Sequence, residues 1–227
     1  MSATVDDNRA ARDAVLARVR KALAKDRSDS RAKADADAYI AAHQHGPRPT
    51  MPFDLRARFI TRAADMSSTV DSVAALADVP QAISRYLGAL SAHGADALRS
   101  GVCWPEFANL EWSAAGLAIE ARPTVGLDRL AITGCFCAIA ETGTILITSS
   151  AATPTASALL PETHIAVVRA QRIVSGMEEA FAMVRSELGA MPRALNFISG
   201  PSRTGDIEQT IVLGAHGPFR MHLLVVG

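Results

Sequence analysis

The stretch IAVVRAQRIVSGMEEAFAMVRSELGAMPRALNFI, residues 165–198, contains a short apolar segment, an amphipathic segment and a second short apolar segment. Ile165–Val168 and Ala194–Ile198 have the length and composition of buried strands, whereas Met177–Leu188 repeats its apolar residues at helical spacing. A strand, a helix and a further strand of these lengths form the βαβ unit that builds parallel sheets. The stretch therefore predicts an α/β fold.

Similar patterns recur from Phe53 to the C terminus. Helices are predicted at Phe53–Met66 and Val79–His93, where apolar residues return every three or four positions. The other predicted strands are Thr69–Val73, Leu117–Ala121, Leu130–Thr133, Ile145–Thr148 and Met221–Val226. We therefore predict one α/β domain over residues 51–227, with a mainly parallel sheet and flanking helices.

Residues 1–50 are predicted to form a helix and a linker outside the α/β domain. Asp6–Asn8 supplies good N-cap residues for an amphipathic helix that we predict to end near Ala24. An isolated helix of this kind is marginal in water, so its apolar stripe is expected to dock on its own domain, on a second copy or on a partner. The following stretch, Lys25–Pro52, is polar and then rich in Pro, Gly and His, which favours a linker.

The charge and cysteine content argue against several classes of function. Lys plus Arg and Asp plus Glu both number 23, so the formal net charge is zero, which argues against a general binder of nucleic acid or of anionic membranes. The three cysteines include no CxxC pair or zinc-type cluster, so we expect no metal and no cofactor. The sequence has no signal-peptide pattern and no apolar run of bilayer length, which favours the cytoplasm.

Glu141 is the most informative single residue. It is the only charged residue in LAITGCFCAIAETGTILITSSAATPTASALLP, residues 130–161, and it precedes Thr142, Gly143 and Thr144. The two threonines are able to hydrogen-bond its carboxylate, and the glycine permits a turn or the close approach of a ligand. A poorly solvated carboxylate suits acid, base or nucleophilic chemistry. It equally suits a structural role, capping backbone N–H groups at a hairpin.

The second candidate is GPSRTGDIEQ, residues 200–209, which follows the apolar strand Leu195–Ile198. A Gly-Pro turn, hydroxyl side chains and an arginine leading into a helix capped by an aspartate predict a corner that binds an anion. Alternatively, the arginine pairs with a nearby acid and braces the loop. The candidate ligand-binding residues of this stretch are Ser202, Arg203, Thr204, Asp206 and Glu208.

Two histidines and two cysteines complete the candidates. His164 and His216 lie where predicted strands meet loops, and each is a candidate ligand or proton carrier, with a satisfied structural role as the alternative. Cys135 and Cys137 would point to the same face of a strand, and we expect small core residues there unless the backbone bends between them.

The two polar turns are predicted to meet. Each follows an apolar strand, and turns after the carboxyl ends of parallel strands lie at one edge of a sheet, where ligands of open α/β sheets bind. We therefore expect Glu141, Ser202, Arg203 and Asp206 to converge on one cleft at that edge.

Several stretches carry a resemblance to a known family. They are TGCFCAIAETGTILIT (133–148), LLPETHIAVVRAQRIV (159–174), FISGPSRTGDIEQTIVLGAHGP (197–218) and the closing strand. In order and separation they resemble the signature blocks of the LUD (lactate-utilisation) domain family, and most of all its small subunit from three-part lactate oxidation systems. The resemblance runs from about Phe53 to the C terminus.

The resemblance implies a Rossmann-like fold similar to the sugar-phosphate isomerase, ribose-phosphate isomerase and CoA-transferase group. It implies an accessory, non-redox role beside an iron-sulfur subunit and a cysteine-rich subunit that together oxidise L-lactate to pyruvate, with a small anion as a further ligand. The alternative is a CoA-transferase-like or sugar-phosphate-isomerase-like enzyme, or a ligand sensor, that uses Glu141 and Arg203.

The chain departs from the family pattern in two places. Cys135-Phe136-Cys137 stands where many members carry an acidic residue, and SSAATPTAS, residues 149–157, stands where relatives are often rich in Gly and Arg. These departures remove an acid and an arginine from the expected pocket.

Overall fold

The computed structural model describes residues 5–23, 30–44, 46–92, 98–207 and 210–227. The chain divides into two compact units, Met1–Pro49 and Thr50–Gly227. The first unit contains α1 (Val5–Leu23) and α2 (Ser30–Ala42). Much of the stretch predicted to be a linker is therefore helical, because its repeated alanines favour a helix in spite of the polar residues between them.

The second unit alternates strands and helices. Its helices are α3 (Leu55–Asp65), α4 (Val79–Ala92), α5 (Ala156–Leu159) and α6 (Met177–Leu188). Its strands are β1 (Thr69–Val73), β2 (Ser100–Cys103), β3 (Ala118–Ala121), β4 (Leu130–Thr133), β5 (Cys137–Ile139), β6 (Thr144–Thr148), β7 (Thr163–Arg169), β8 (Ile173–Val174), β9 (Leu195–Ile198), β10 (Arg203–Ile207), β11 (Thr210–Leu213) and β12 (Arg220–Val226). Across the described residues, no helix combines the length and the apolar character needed to span a bilayer.

The central sheet has six strands in the order β1-β12-β7-β4-β2-β3. Every neighbouring pair in it is parallel. The middle strands β4, β7 and β12 are buried along nearly their whole length, as expected for strands covered on both faces. The predicted α/β class with a mainly parallel central sheet and flanking helices is confirmed.

A second sheet lies beside the central one, in the order β8-β5-β6-β9. One set of alternate residues, including Ala138 and Ile145, packs into the main core. The other set, including Ile139 and Leu146, packs with Val184 of α6. Because successive side chains of a strand point to opposite faces, this sheet is sandwiched between the main core and α6.

Two of the predicted strands, β6 and β9, do not belong to the parallel sheet that a βαβ series would form. β6 and β9 lie in the second sheet and pair with each other in antiparallel fashion. Both faces of this sheet are covered, so its strands are apolar on both sides, as strands of a parallel sheet are. Periodicity therefore predicted the strands and their burial but not the sheet to which they belong.

The helix predicted after Arg203 is wrong. Arg203–Ile207 is a strand that pairs with β11 in an antiparallel hairpin, with a register shift between Thr204 and Ile207. β-branched residues on both strands favour this pairing over a helix. Asp206 is a strand residue here and does not cap a helix.

Two histidines lie inside the central sheet. His164 of β7 is fully buried, and its Nε2 lies 2.8 Å from Thr133 Oγ1. His222 of β12 has Nδ1 2.9 Å from Thr69 Oγ1 and a ring that stacks on Tyr86 at 3.9 Å. Among the described residues, the second ring nitrogen of each histidine has no hydrogen-bond partner. His164 is thus the second residue of β7, beside the preceding loop as expected, and it is fully buried.

Burial lowers the pKa of His164 and that of His222 to about 4 each. Both are neutral in the folded protein at pH 7, and the unfolded chain binds protons more readily below about pH 6.5. Their contribution to stability is therefore complete above that pH and is lost as the pH falls toward 4.

We predict that the free energy of unfolding falls between pH 6 and pH 5 by roughly 1 kcal/mol per pH unit for each of these histidines, in addition to the effect of carboxylates. His222→Asn or His164→Asn should reduce the slope by that amount, whatever the variant does to absolute stability. Urea unfolding at several pH values measures it. An unchanged slope in both variants would contradict the assignment.

We also predict that the α/β unit survives removal of the first unit. Limited digestion with proteinase K, which has broad specificity, should cleave between α2 and Phe53 first, because this segment is rich in Pro and Gly and joins two separately packed units. Mass spectrometry should then find a stable fragment that begins near Phe53. First cleavage within residues 130–226 would count against the boundary.

Candidate functional site

The turn that contains Glu141 connects β5 and β6 as a hairpin of the second sheet. Glu141 is half-buried, and its backbone N–H donates to the carbonyl oxygen of Ser175 at 3.0 Å. Gly143 has φ 69°, and a Cβ on it would overlap the backbone of Arg62 and Ala63 in α3. Glycine is therefore required twice over, for its conformation and for the close approach. The sequence analysis predicted that this turn follows a strand of the parallel sheet. It instead follows β5, a strand of the second sheet.

Hydroxyl groups join this turn to the one after β9. Thr142 Oγ1 lies 2.7 Å from Thr144 Oγ1, which lies 2.6 Å from Ser199 Oγ. The two threonines therefore bond to each other and to Ser199. Among the described residues, neither donates to the Glu141 carboxylate, contrary to expectation.

The second turn also rests on α3. Gly200 has φ 80°, and a Cβ there would overlap the carbonyl oxygen of Met66, the residue that caps α3. Arg203 Nη2 donates to that same carbonyl oxygen at 2.5 Å. A cation at the C-terminal end of a helix is favourable, because the last carbonyl groups carry partial negative charge. We call this meeting of Gly143, Gly200 and Arg203 with the end of α3 the α3 junction.

Most other candidates of this stretch serve the hairpin. Ser202 Oγ accepts from the backbone N–H of His216 at 3.2 Å, and Ser202 N–H donates to Pro218 at 2.9 Å. His216 itself is exposed, and Thr204 is buried in β10. Ser202 therefore ties the hairpin to the turn that follows it.

The acids proposed to pair with Arg203 cannot be placed. The side chain of Asp206 and the whole of Glu208 lie outside the described residues. Within the described part of the chain, no carboxylate pairs with Arg203. Its predicted bracing by Asp206 or Glu208 stays a prediction.

Arg203 lines a cavity of about 410 Å³. The cavity lies beside the first residues of β1 and β12, at the amino-terminal edge of the parallel sheet, and we call it the amino-edge cavity. Its lining is Ser67, Thr69, Tyr86, Leu90, Pro201, Arg203, Ile211, Leu213, Phe219, Arg220 and Met221. Arg203 is thus at the opposite edge from the predicted one, because the β10–β11 hairpin folds back before β12 begins. Glu141 is not among the lining residues.

Among the described residues, two arginines at this edge share one carboxylate. Arg220 Nη1 donates to Glu162 Oε1 at 2.5 Å, and Arg129 Nε donates to Glu162 Oε2 at 3.0 Å. Burial would raise the pKa of Glu162, but the hydrogen bonds from the two arginines outweigh it and hold the pKa below its ordinary value. Two guanidinium groups share this carboxylate, and Arg203 adds a third cation nearby.

The carboxyl edge of the sheet holds a pair that the sequence analysis missed. Arg169 Nη2 lies 3.3 Å from Glu106 Oε2, and a Cβ on Gly134 would overlap the Glu106 carboxylate. Glu106 and Gly134 follow the neighbouring strands β2 and β4, between which the strand order reverses direction, and Arg169 is the last residue of β7. The overlooked signal was β2 itself, a short strand directly ahead of Trp104 and Glu106.

The backbone bends between the two neighbouring cysteines. Cys135 precedes β5 and packs against the main core, whereas Cys137 begins β5 and packs on the α6 side. Both thiols are free, and burial raises the pKa of each, that of Cys137 to about 11. Cys137 is fully buried and Cys135 packs against the main core, so both are small core residues even though the backbone bends between them.

Comparison with known proteins agrees with the fold. The profile of the LUD domain matches residues 58–226. A protein of Deinococcus radiodurans named Lactate utilization protein C is 34% identical over 188 residues, which is 80% of this chain and 84% of that protein. Proteins of the same name from Geobacillus kaustophilus and Bacillus subtilis are 37% and 36% identical over 91 residues, which is 39% of this chain and 38% of each relative.

A solved structure is similar as well. The crystal structure of a DUF162 family protein from Deinococcus radiodurans superposes with a TM-score of 0.53 at 26% identity. The superposition covers 79% of this chain and all of that one. From the profile match and the relatives together, the chain belongs to the LUD domain family.

Proposed function

We propose that this chain is an accessory, non-redox subunit of an L-lactate utilisation system, which oxidises L-lactate to pyruvate together with an iron-sulfur and a cysteine-rich partner protein. The observation that carries the proposal is the similarity to a relative named Lactate utilization protein C over 80% of this chain and 84% of that protein. A match of that extent must include most of the α/β unit, so the likeness is not confined to one motif.

The cysteine chemistry supports a role without a redox centre. An iron-sulfur cluster is usually held by four thiolates, and the whole sequence has three cysteines. Burial raises the pKa of Cys103 and that of Cys137 to about 11, so both are protonated near neutral pH and are poor metal ligands. Among the described residues, no group of three or more His, Cys, Asp or Glu is arranged to hold a metal ion.

The proposal includes a small anion as ligand, held by Arg203 in the amino-edge cavity. The support is electrostatic, because Arg203 and Arg220 line the cavity and none of the described lining residues is acidic. Guanidinium groups bind carboxylates and phosphates through paired, charge-assisted hydrogen bonds.

A second function has one observation in its favour. The turns that carry Glu141 and Arg203 both rest on the last turns of α3, as a CoA-transferase-like or sugar-phosphate-isomerase-like enzyme, or a sensor using both residues, would require. Against it, Glu141 is absent from the lining of the cavity where Arg203 lies.

We predict that the anaerobically purified chain shows no visible absorbance of its own, because three cysteines cannot complete a four-thiolate cluster. Lactate-dependent reduction of a dye should appear only when the chain is combined with its iron-sulfur and cysteine-rich partners. Absorption spectroscopy and a reconstitution assay measure these two points, with the partners alone as the control. A stoichiometric chromophore in the chain, or lactate oxidation by the chain alone, would contradict the proposal.

A further inference from the structure

We propose that the amino-edge cavity binds an organic carboxylate with an apolar body, with its carboxylate at Arg203 and its hydrocarbon part between α4 and the β10–β11 hairpin. This rests on the anion-binding part of the proposed function and not on the role in lactate oxidation. It names the ligand class that the lining of the cavity selects.

The polar end of the cavity is built around Arg203. One of its guanidinium nitrogens donates to the carbonyl oxygen of Met66, and a guanidinium has five N–H donors. The remaining donors suit a carboxylate, which accepts two parallel hydrogen bonds from such a group. The contact with Met66 fixes the side chain before a ligand arrives, so less entropy is lost on binding.

Hydroxyl groups supply further donors. Ser67, Thr69 and Tyr86 line the same cavity. Burial raises the pKa of Tyr86, which keeps its hydroxyl protonated and able to donate. Beneath them, the ring of His222 stacks on Tyr86 and bonds to Thr69, so this wall is rigid.

The charges select an anion. Arg220 is the second cation of the lining, and it shares Glu162 with Arg129. One carboxylate therefore offsets two guanidiniums, while within the described part of the chain Arg203 has no carboxylate partner. In the part of the lining that the structure describes, a cationic ligand would meet two arginines and no acid.

The remaining walls select an apolar body. The hairpin contributes Ile211 and Leu213, which are 71% and 42% exposed, and Phe219 is 43% exposed. Large apolar side chains exposed together mark binding sites, because covering them removes apolar area from water. Leu90 of α4 lines the same cavity.

The volume of the cavity also favours an acid with an apolar body. A cavity of 410 Å³ has room for about a dozen water-sized groups and lies within the range of about 300–1,000 Å³ for small-molecule sites. A short acid such as lactate would fill only part of it. An acid with a chain or ring of several carbons fills both the polar and the apolar parts.

The wall of the cavity at Ser67 is fixed by the end of α3. Ser67 has φ 66°, a conformation that non-glycine residues rarely adopt. It is held there by a hydrogen bond from Ser67 N–H to the carbonyl oxygen of Ala64 at 2.8 Å. A second hydrogen bond runs from Ser68 N–H to the carbonyl oxygen of Ala63 at 3.0 Å. The two bonds end α3, set the Met66 carbonyl toward Arg203 and place Ser67 in the lining.

The test uses the full chain with hexanoate and phenylacetate as probes. Isothermal titration calorimetry and thermal unfolding should show binding of both, and weak or no binding of acetate, lactate, inorganic phosphate and the neutral analogue hexanamide. Arg203→Gln should weaken hexanoate binding about tenfold or more, the usual effect of losing charge-assisted hydrogen bonds. Arg185→Gln, which removes an exposed guanidinium from α6 away from the cavity, is the matched control and should bind as the unchanged chain does.

A second variant tests the site independently, in case Arg203→Gln does not fold. Leu90→Trp keeps Arg203 and fills the apolar part of the cavity, so it should exclude hexanoate and phenylacetate. Equal binding by Arg203→Gln or by Leu90→Trp would overturn the proposal, as would binding of hexanamide as tight as that of hexanoate. Acetate, lactate or phosphate binding as tightly as hexanoate would overturn the apolar selection, and absence of binding by every probe would overturn the site.

The outcomes separate this proposal from the accessory role. A chain that binds hexanoate through Arg203 but fails to support lactate oxidation with its partners contradicts the accessory role and leaves the cavity assignment standing. A chain that supports lactate oxidation but binds no probe contradicts the cavity assignment and leaves the accessory role standing.

Discussion

Two backbone contacts at the end of α3 hold the candidate site together. Gly143 at the tip of the β5–β6 hairpin and Gly200 after β9 each adopt a positive φ, and each lies where a Cβ would overlap the α3 backbone. The carbonyl oxygen of Met66, at the same helix end, receives Arg203. The polar groups of both turns are thus positioned by the α3 junction and not by the carboxyl ends of the parallel strands. The amino-edge cavity follows from this, because the hairpin that carries Arg203 leaves the junction beside the first residues of β1 and β12.

The layering of the sheets explains the composition of the central stretch. The second sheet is covered by the main core on one face and by α6 on the other, and a charged residue inside either interface would be desolvated at considerable cost. Charged residues are therefore absent from β5 and β6, and Glu141 is tolerated at the hairpin tip, where it is half-buried. Its isolation in the sequence reflects the burial of its neighbours and does not by itself indicate catalysis.

Local patterns were sufficient for most of the elements but not for their arrangement. α6 and the buried strand Ile165–Val168 followed from periodicity, which depends on neighbouring residues alone. The assignment of β6 and β9 to a second sheet depends on contacts far apart in the sequence, and buried strands of either sheet look alike. The helix expected after Arg203 failed because a cap-like Asp206 was given more weight than the β-branched residues around it. The same error explains why Arg203 was predicted at the wrong edge of the sheet. A helix after β9 would have kept Arg203 at the carboxyl edge, whereas the β10–β11 hairpin brings it to the amino edge.

Together these features describe a LUD domain whose polar groups are divided between two edges of one sheet. Arg203 and the amino-edge cavity form one set, and Glu106 with Arg169 forms the other at the carboxyl edge. The central claim is that the ligand site is the first of these. A crystal structure of the full chain with phenylacetate tests it most directly. The account predicts the ligand in the amino-edge cavity, with its carboxylate about 2.8 Å from the Arg203 guanidinium. A ligand bound at the carboxyl edge beside Glu106 and Arg169, with the amino-edge cavity empty, would contradict it.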